Sequence, residues 1–186
     1  FRKNLERIGE ILAYEISKEL PYASNTITSP LGKVETPLLK EQPVIIAVLR
    51  AAVPFYQGIL NFFDQADSGF IGAYRDENEN HEKIEISLNY LAVPELTGKT
   101  VIIVDPMLAT GKSILKSIEA LQGHGKPKQI EIVSAIAAPE GLKHIQENLD
   151  FTPRFWVGAV DEKLNQQSYI VPGLGDAGDL AFGHKI

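Results

Sequence analysis

The chain has 186 residues, 44% of them hydrophobic, with a formal net charge of −6 and no cysteine. That length suits one domain with a well-filled core, and the missing thiols exclude disulfides, thiolate catalysis and cysteine zinc sites. An acidic balance argues against a binder of nucleic-acid backbones, whose face is basic, and no apolar run approaches the ~18 residues of a membrane-spanning helix.

In chain order, Leu5, Ile8, Leu12, Ile16 and Leu20 recur at helical spacing, and Pro21 ends the stripe. Residues 22–42, with prolines, threonines and a glycine, read as a loop or short hairpin. Residues 44–49 are continuously apolar, the pattern of a strand buried on both faces. A short helix follows over 54–63 and a strand over 70–74; Ile84, Ile86, Leu88 and Tyr90 then alternate as a half-exposed strand does. Between those two strands lies a run, 75–83, without an apolar residue. Buried strands are predicted at 101–104, 130–137 and 155–160, the last carrying Trp156 into the core. Helices are predicted over 113–121, with Gly123 as a stop, and over 140–149. This alternation predicts an α/β domain, its parallel sheet flanked by helices on both faces. Ligands of such sheets bind beyond the carboxyl ends of the strands.

One strand end carries chemistry. The chain leaves 101–104 as Asp105-Pro-Met-Leu-Ala-Thr-Gly-Lys-Ser113. The last three residues match the nucleotide triphosphatase loop G-x-x-x-x-G-K-[ST], but its first glycine position holds Pro106. A proline has no N–H for a phosphate and a fixed φ, so the wide nest of amides is lost. What remains suits one phosphate monoester: a helix starting near Ser113 aims its open N–H groups and positive dipole end into the loop. Thr110 and Ser113 add hydroxyls. Asp105, itself an anion, suits sugar hydroxyls or Mg²⁺. Phosphate plus sugar points to a ribose 5-phosphate site.

A second segment, Tyr169-Ile-Val-Pro-Gly-Leu-Gly-Asp-Ala-Gly-Asp179, followed by Leu-Ala-Phe-Gly183, is an irregular loop whose glycines let backbone approach a ligand closely. Together the two motifs resemble the uracil phosphoribosyltransferases: the first is similar to their phosphoribosyl diphosphate loop, the second to their uracil-binding segment. The resemblance covers nearly the whole chain, from Arg7-Ile-Gly-Glu-Ile-Leu-Ala-Tyr-Glu to Gly183. It implies a phosphoribosyltransferase-like α/β fold, one domain over 1–186, with a central mostly parallel sheet flanked by helices. It also implies a small hood drawn from parts of 22–42, 70–92 and 161–186.

The resemblance assigns roles residue by residue. Arg50 of Arg50-Ala-Ala52 is similar to the arginine of the family's Arg-Ala-Gly loop, and Arg75 to that of its Tyr-Arg-Asp/Asn-Glu segment; both are expected on the diphosphate, which a guanidinium fork suits. Asp105, Pro106, Met107, Leu108, Ala109, Thr110, Gly111, Lys112, Ser113 and Asp176 complete the phosphoribosyl diphosphate site. Ile170, Gly175, Asp176 and Ala177 are expected around uracil. Arg50, Arg75, Asp105 and Asp176 are the expected catalytic groups, with Mg²⁺ held mainly by substrate and by Asp176 as candidate ligand. Purine-specific relatives carry acids where this chain has Pro106 and Ala109, so the loop supplies no evident general base. Three departures stand out: Ala52 for glycine, Lys112 in a loop that usually reads Gly-Gly-Ser, and Leu180 where arginine is frequent.

The implied reaction transfers the 5-phosphoribosyl group to uracil, giving uridine monophosphate in pyrimidine salvage. The 75–83 run is then expected to close as a lid over Mg²⁺–phosphoribosyl diphosphate, the plain reading being a solvated hairpin tip. The four histidines, at 81, 124, 144 and 184, show no ligand spacing. Two rivals remain, a regulatory homologue binding RNA or nucleotide and a uridine kinase. Acidic charge opposes the RNA reading, and Pro106 opposes the kinase. No secretory signal is visible, so a cytoplasmic enzyme is expected, with uracil and phosphoribosyl diphosphate as partners, neither nucleic acid nor membrane, GTP as a candidate activator, and a homodimer or higher homo-oligomer.

Overall fold

The computed structural model describes residues 1–76 and 85–184, and no side chain within 73–88. Most of the run expected to form a lid therefore lies outside the described residues. The chain begins with helix α1 (Arg2–Ser17), the hairpin β1 (Tyr22–Ser29) and β2 (Gly32–Leu39), strand β3 (Val44–Leu49) and helix α2 (Val53–Phe62). Strands β4 (Asp67–Asp76), β5 (Glu85–Ala92), β6 (Thr100–Val104) and β7 (Met107–Leu108) come next, then helix α3 (Lys112–Leu121), strand β8 (Gln129–Ala137) and helix α4 (Pro139–Asn148). Strands β9 (Arg154–Val160), β10 (Lys163–Leu164) and β11 (Ile170–Val171) lead to helix α5 (Ala177–Phe182).

A seven-stranded sheet runs β5-β4-β3-β6-β8, with β9 on the free edge of β8 and β7 extending β6 along the other edge. Every pairing is parallel except β4 with β5, so the sheet is mostly parallel and ends in one antiparallel strand. Alternation along the strands divides the core. Ile45, Ala47, Ile102 and Val104 face α1 and α2, meeting Leu5, Ile16, Phe55 and Ile59. Val44, Ile46, Val101 and Ile103 face α3 and α4, meeting Ile114, Ile118 and Ile145. Continuous apolar runs at 44–49 and 101–104 follow from this double coverage. One buried acid, Glu131 on β8, is accounted for: Trp156 Nε1 donates to it at 2.9 Å and Arg154 Nε lies 3.3 Å away. Trp156 is thus half-buried against the α1–α2 side of the core, as expected, with its polar edge partnered.

The structure departs from expectation in several places. The 22–42 segment is a hairpin of two eight-residue strands, longer than expected and exposed along almost its whole length. Its register puts Ala23, Ile27, Val34 and Leu38 on one face and Ser24, Thr26, Lys33 and Glu35 on the other. Gly123 does not stop α3. The helix tightens into a 3-10 turn over Gln122–His124, and Gly125, at φ 105°, ends it. Strands β7, β10 and β11 and helix α5 are too short for any periodicity to reveal. No helix among the described residues is long and apolar enough to cross a membrane.

Helices α1 and α2 cross through glycines. A Cβ built at Gly58 would run into the Glu6 carbonyl oxygen, and one at Gly9 into that of Phe55. Gly58→Ala should therefore destabilise the fold by ~1–3 kcal/mol, read as a lower denaturant midpoint with an unchanged slope. An unmoved midpoint would show that the helices part without cost.

Candidate active site

The site lies where the sheet splits. Strand β6 pairs with β3 only up to Ala47↔Val104, while β8 follows the same chain through Val104↔Val133 and on to Leu108↔Ala137. Between these pairings stand Asp105 and Pro106. The Asp105 N–H donates to the Val133 carbonyl, and the Pro106 carbonyl accepts from both Ala135 and Ile136 N–H. Proline offers no N–H towards β3, so the chain separates from that neighbour and keeps the other. Asp105 is half-buried at the split, and its Oδ1 accepts from the Met107 N–H at 3.1 Å.

The loop from Ala109 to Ser113 is shaped by backbone approach. Gly111 sits at φ 76° as N-cap of α3, a conformation that glycine adopts without penalty. Having no side chain, it leaves the first N–H groups of α3 without a side-chain cap. Thr110 Oγ1 accepts a long 3.4 Å contact from the Lys112 N–H. Ser113 is half-buried, and the Lys112 side chain is exposed. Helix α4 fixes the loop from behind: a Cβ at Gly141 would run into the Ala109 carbonyl oxygen, and one at Gly111 would stand 2.8 Å from the Gly141 carbonyl. Leu108 and Ala109 are buried, anchoring the loop below.

The glycine-rich C-terminal segment folds over this loop. Ile170 is buried in a cluster with Ala109 and Ala138, and Met107, Ile136 and Leu164 pack against it. The Gly173 N–H donates to Asp161 Oδ2 at 2.9 Å. The Leu164 N–H donates to Glu140 Oε1 at 3.0 Å; with the Glu140 N–H, that bond holds the carboxyl below the usual carboxylate range. Gly175 has φ 80°. Asp176, exposed, caps α5: its Oδ1 accepts from the Asp179 N–H at 2.9 Å. Ala177 is buried at the start of that helix.

Arg50 leaves the end of β3 and reaches this same segment. Its Nη2 donates to Asp179 Oδ1 at 2.9 Å and to the Gly183 carbonyl at 2.8 Å. A Cβ built on Gly178 would lie 3.1 Å from Asp176 Oδ1 and 3.5 Å from Arg50 Nε, so those two residues flank one point. The structure thus gathers Arg50, Asp176, the 105–113 loop and Ile170 at one end of the sheet. Arg75 stands on β4 opposite Ile86, and its side chain is not among those described. Ala52, the departure from glycine, is buried at φ −68°, ψ −21°, an ordinary helical conformation that alanine adopts freely. Leu180 is half-exposed on α5. Among the described residues no group of three metal-ligating side chains gathers. Sequence reasoning missed Gly141, a helical glycine without a motif, and the contacts of Asp179, whose partner lies 129 residues away.

A parallel sheet with a phosphate-type loop at its split, and a glycine-rich segment closing over that loop, defines the phosphoribosyltransferase class. At the level of fold, the chain is similar to a solved purine phosphoribosyltransferase from Pyrococcus horikoshii, with TM-score 0.57 at 18% identity, covering 86% of this chain and 83% of that one. The family model described as uracil phosphoribosyltransferase matches residues 1–184, and the chain belongs to that family. A relative from Porphyromonas gingivalis named uracil phosphoribosyltransferase is 43% identical over 186 residues, covering 100% of this chain and 86% of the relative. The solved AQ2163 protein from Aquifex aeolicus superposes with TM-score 0.89 at 38% identity, covering 100% of this chain and 86% of that one.

If α4 positions the loop, Gly141→Ala should displace 109–113. Stability should fall by ~1–3 kcal/mol, and the backbone amide resonances of those residues should shift while those of β3 stay in place. Unmoved loop resonances would show that something other than α4 holds it.

Proposed function

We propose that this site transfers the 5-phosphoribosyl group from phosphoribosyl diphosphate to a ring nitrogen of uracil, giving uridine monophosphate and diphosphate in pyrimidine salvage. The observation that carries the reading is the cluster that Ile170 shares with Ala109 and Ala138, which brings the uracil-type segment against the phosphate-type loop. A base held by the one and a phosphate held by the other can share a ribose between them.

The 5-phosphate is assigned to the loop from Pro106 to Ser113, at the uncapped start of α3. Arg50 and Arg75 take the diphosphate, and Asp105 with Asp176 orients the ribose. Uracil lies on the backbone of Ile170, Gly175 and Ala177 beside Asp176; a fixed edge of N–H and C=O groups rejects cytosine, whose amine would oppose a donor. Catalysis rests on holding the reactants in line and stabilising the leaving diphosphate. The side chains present fit a Mg²⁺ ion held mainly by substrate: Asp176 has one oxygen on the α5 cap, and Oδ2 has no partner among the described residues. When bound, the ion neutralises charge on the leaving group.

The enzyme is assigned to the cytoplasm. Its hood is drawn from parts of 22–42, 70–92 and 161–186, and GTP is a candidate activator. The uncovered apolar face of the β1–β2 hairpin supports a homodimer or higher homo-oligomer.

Two tests follow. Labelled uracil with phosphoribosyl diphosphate should yield uridine monophosphate, and uridine with ATP should not; the opposite result would make the protein a kinase. Asp176→Asn keeps an acceptor for the Asp179 N–H, so α5 should stay capped. Turnover should nevertheless fall by about 10²–10³-fold, the scale of one lost electrostatic contact. A normally folded variant with near-parental turnover would remove Asp176 from the chemistry.

A further inference from the structure

The Arg50 guanidinium already has partners before any ligand is considered, and they are Asp179 and Gly183, two residues of the glycine-rich segment with no role of their own assigned. A guanidinium has five N–H donors. Nη2 uses both of its hydrogens, on Asp179 Oδ1 at 2.9 Å and on the Gly183 carbonyl at 2.8 Å. Nε and Nη1 have no acceptor among the described residues. The second Asp179 oxygen, Oδ2, lies 2.8 Å from His184 Nδ1, so the carboxylate is itself held from the far side.

We propose that Asp179 is a positioning residue for the reaction: with the Gly183 carbonyl it fixes Arg50 by one nitrogen, so that Nε and Nη1 are presented to the diphosphate. The proposal rests on the reading of Arg50 as a diphosphate ligand. Three observations carry it. The clamp occupies one nitrogen and leaves three N–H groups, on Nε and Nη1, to meet separate phosphate oxygens. Arg50 and Asp179 side chains are 38% and 30% exposed, and a pair so wetted adds little to stability, so its effect is geometric. Nε, one of the two open nitrogens, also shares with Asp176 the space above Gly178. Arginine has several rotatable bonds, and ordering it in the free protein removes that entropy loss from the binding step.

A mere tether for the chain end, and a brake that withholds Arg50 from substrate, make different predictions. The experiment is steady-state kinetics on Asp179→Asn, Asp179→Glu, Arg50→Ala and the Arg50→Ala/Asp179→Asn double variant, with diphosphate product inhibition as a second readout. On the proposal, Asp179→Asn raises KM for phosphoribosyl diphosphate and weakens inhibition by diphosphate, each about tenfold, the scale of one charge-assisted hydrogen bond. KM for uracil stays within about twofold, because the substitution alters only the Asp179 side chain and keeps both the backbone of Ile170, Gly175 and Ala177 and the Asp179 N–H that Asp176 accepts. Asp179→Glu keeps the carboxylate, displaces it by one methylene and should fall between; it serves also if the Asn variant fails to fold. In the Arg50→Ala background, Asp179→Asn should add nothing further. Equal rises in both KM values would mean a tether, and tighter diphosphate binding would mean a brake; either overturns the proposal. If Arg50→Ala alone leaves the diphosphate constants unchanged, the reading of Arg50 falls and the proposal with it. If Arg50→Ala weakens them and Asp179→Asn does not, the proposal alone falls.

Discussion

The parting of β6 from β3 after Val104 is the constraint on which the site depends. A sheet in which all strands continued together would have no crevice, only a row of strand ends. Pro106 makes the parting one-sided: it has no hydrogen to offer β3, yet its carbonyl takes two N–H groups from β8. The chain stays in register with β8 as it passes, so β7 lines one wall of the gap while Arg50, at the end of β3, stands at the other. Parallel sheets bind ligands at such divisions because main-chain groups there are released from the ladder.

The rest of the site is built on the wall that β8 holds. Helix α4 presses its one buried glycine against the Ala109 carbonyl, which fixes the loop without any side chain to flex. The C-terminal segment then attaches by contacts of different kinds. Ile170 is buried in one cluster with Ala109 and Ala138, Gly173 and Leu164 give their N–H groups to Asp161 and Glu140, and Arg50 reaches back to Asp179. Irregular backbone with four glycines in fifteen positions carries little local preference of its own, and these contacts supply the missing constraint.

What the sequence made legible follows the length of each signal. The strands at 44–49 and 101–104 were plain because a strand buried on both faces reads as a continuous apolar run, that at 130–137 because only Glu131 and Ser134 interrupt its apolar run, and α1 and α3 because their apolar spacing repeats over several turns. The loop after Asp105 was legible because the residue types themselves carry the chemistry. The two-residue strands were not, since pairing of that length is decided by the neighbour. Gly123 misled for a related reason: two glycines follow α3 closely, and only tertiary context selects Gly125. Ala52 taught the reverse lesson, a substitution within a motif that the backbone absorbs at ordinary angles. Asp179 was visible as part of a motif, while its bond to Arg50 depends on a fold that joins positions 129 apart.

Helix α5 has six residues, too few to persist alone in water. Its order is borrowed from the Asp176 cap and from buried Ala177 and Ala181, while the exposed Arg50 pair sets its orientation rather than its stability. Asp176 and Arg50, which cap and orient the helix, are also groups to which ligand contacts are assigned. Occupancy of the site and integrity of helix α5 are therefore linked functions in the thermodynamic sense: whatever free energy a ligand gains from finding Arg50 and Asp176 in place, it returns to the helix as resistance to local unfolding. Helix α5 is thereby part of the binding equilibrium.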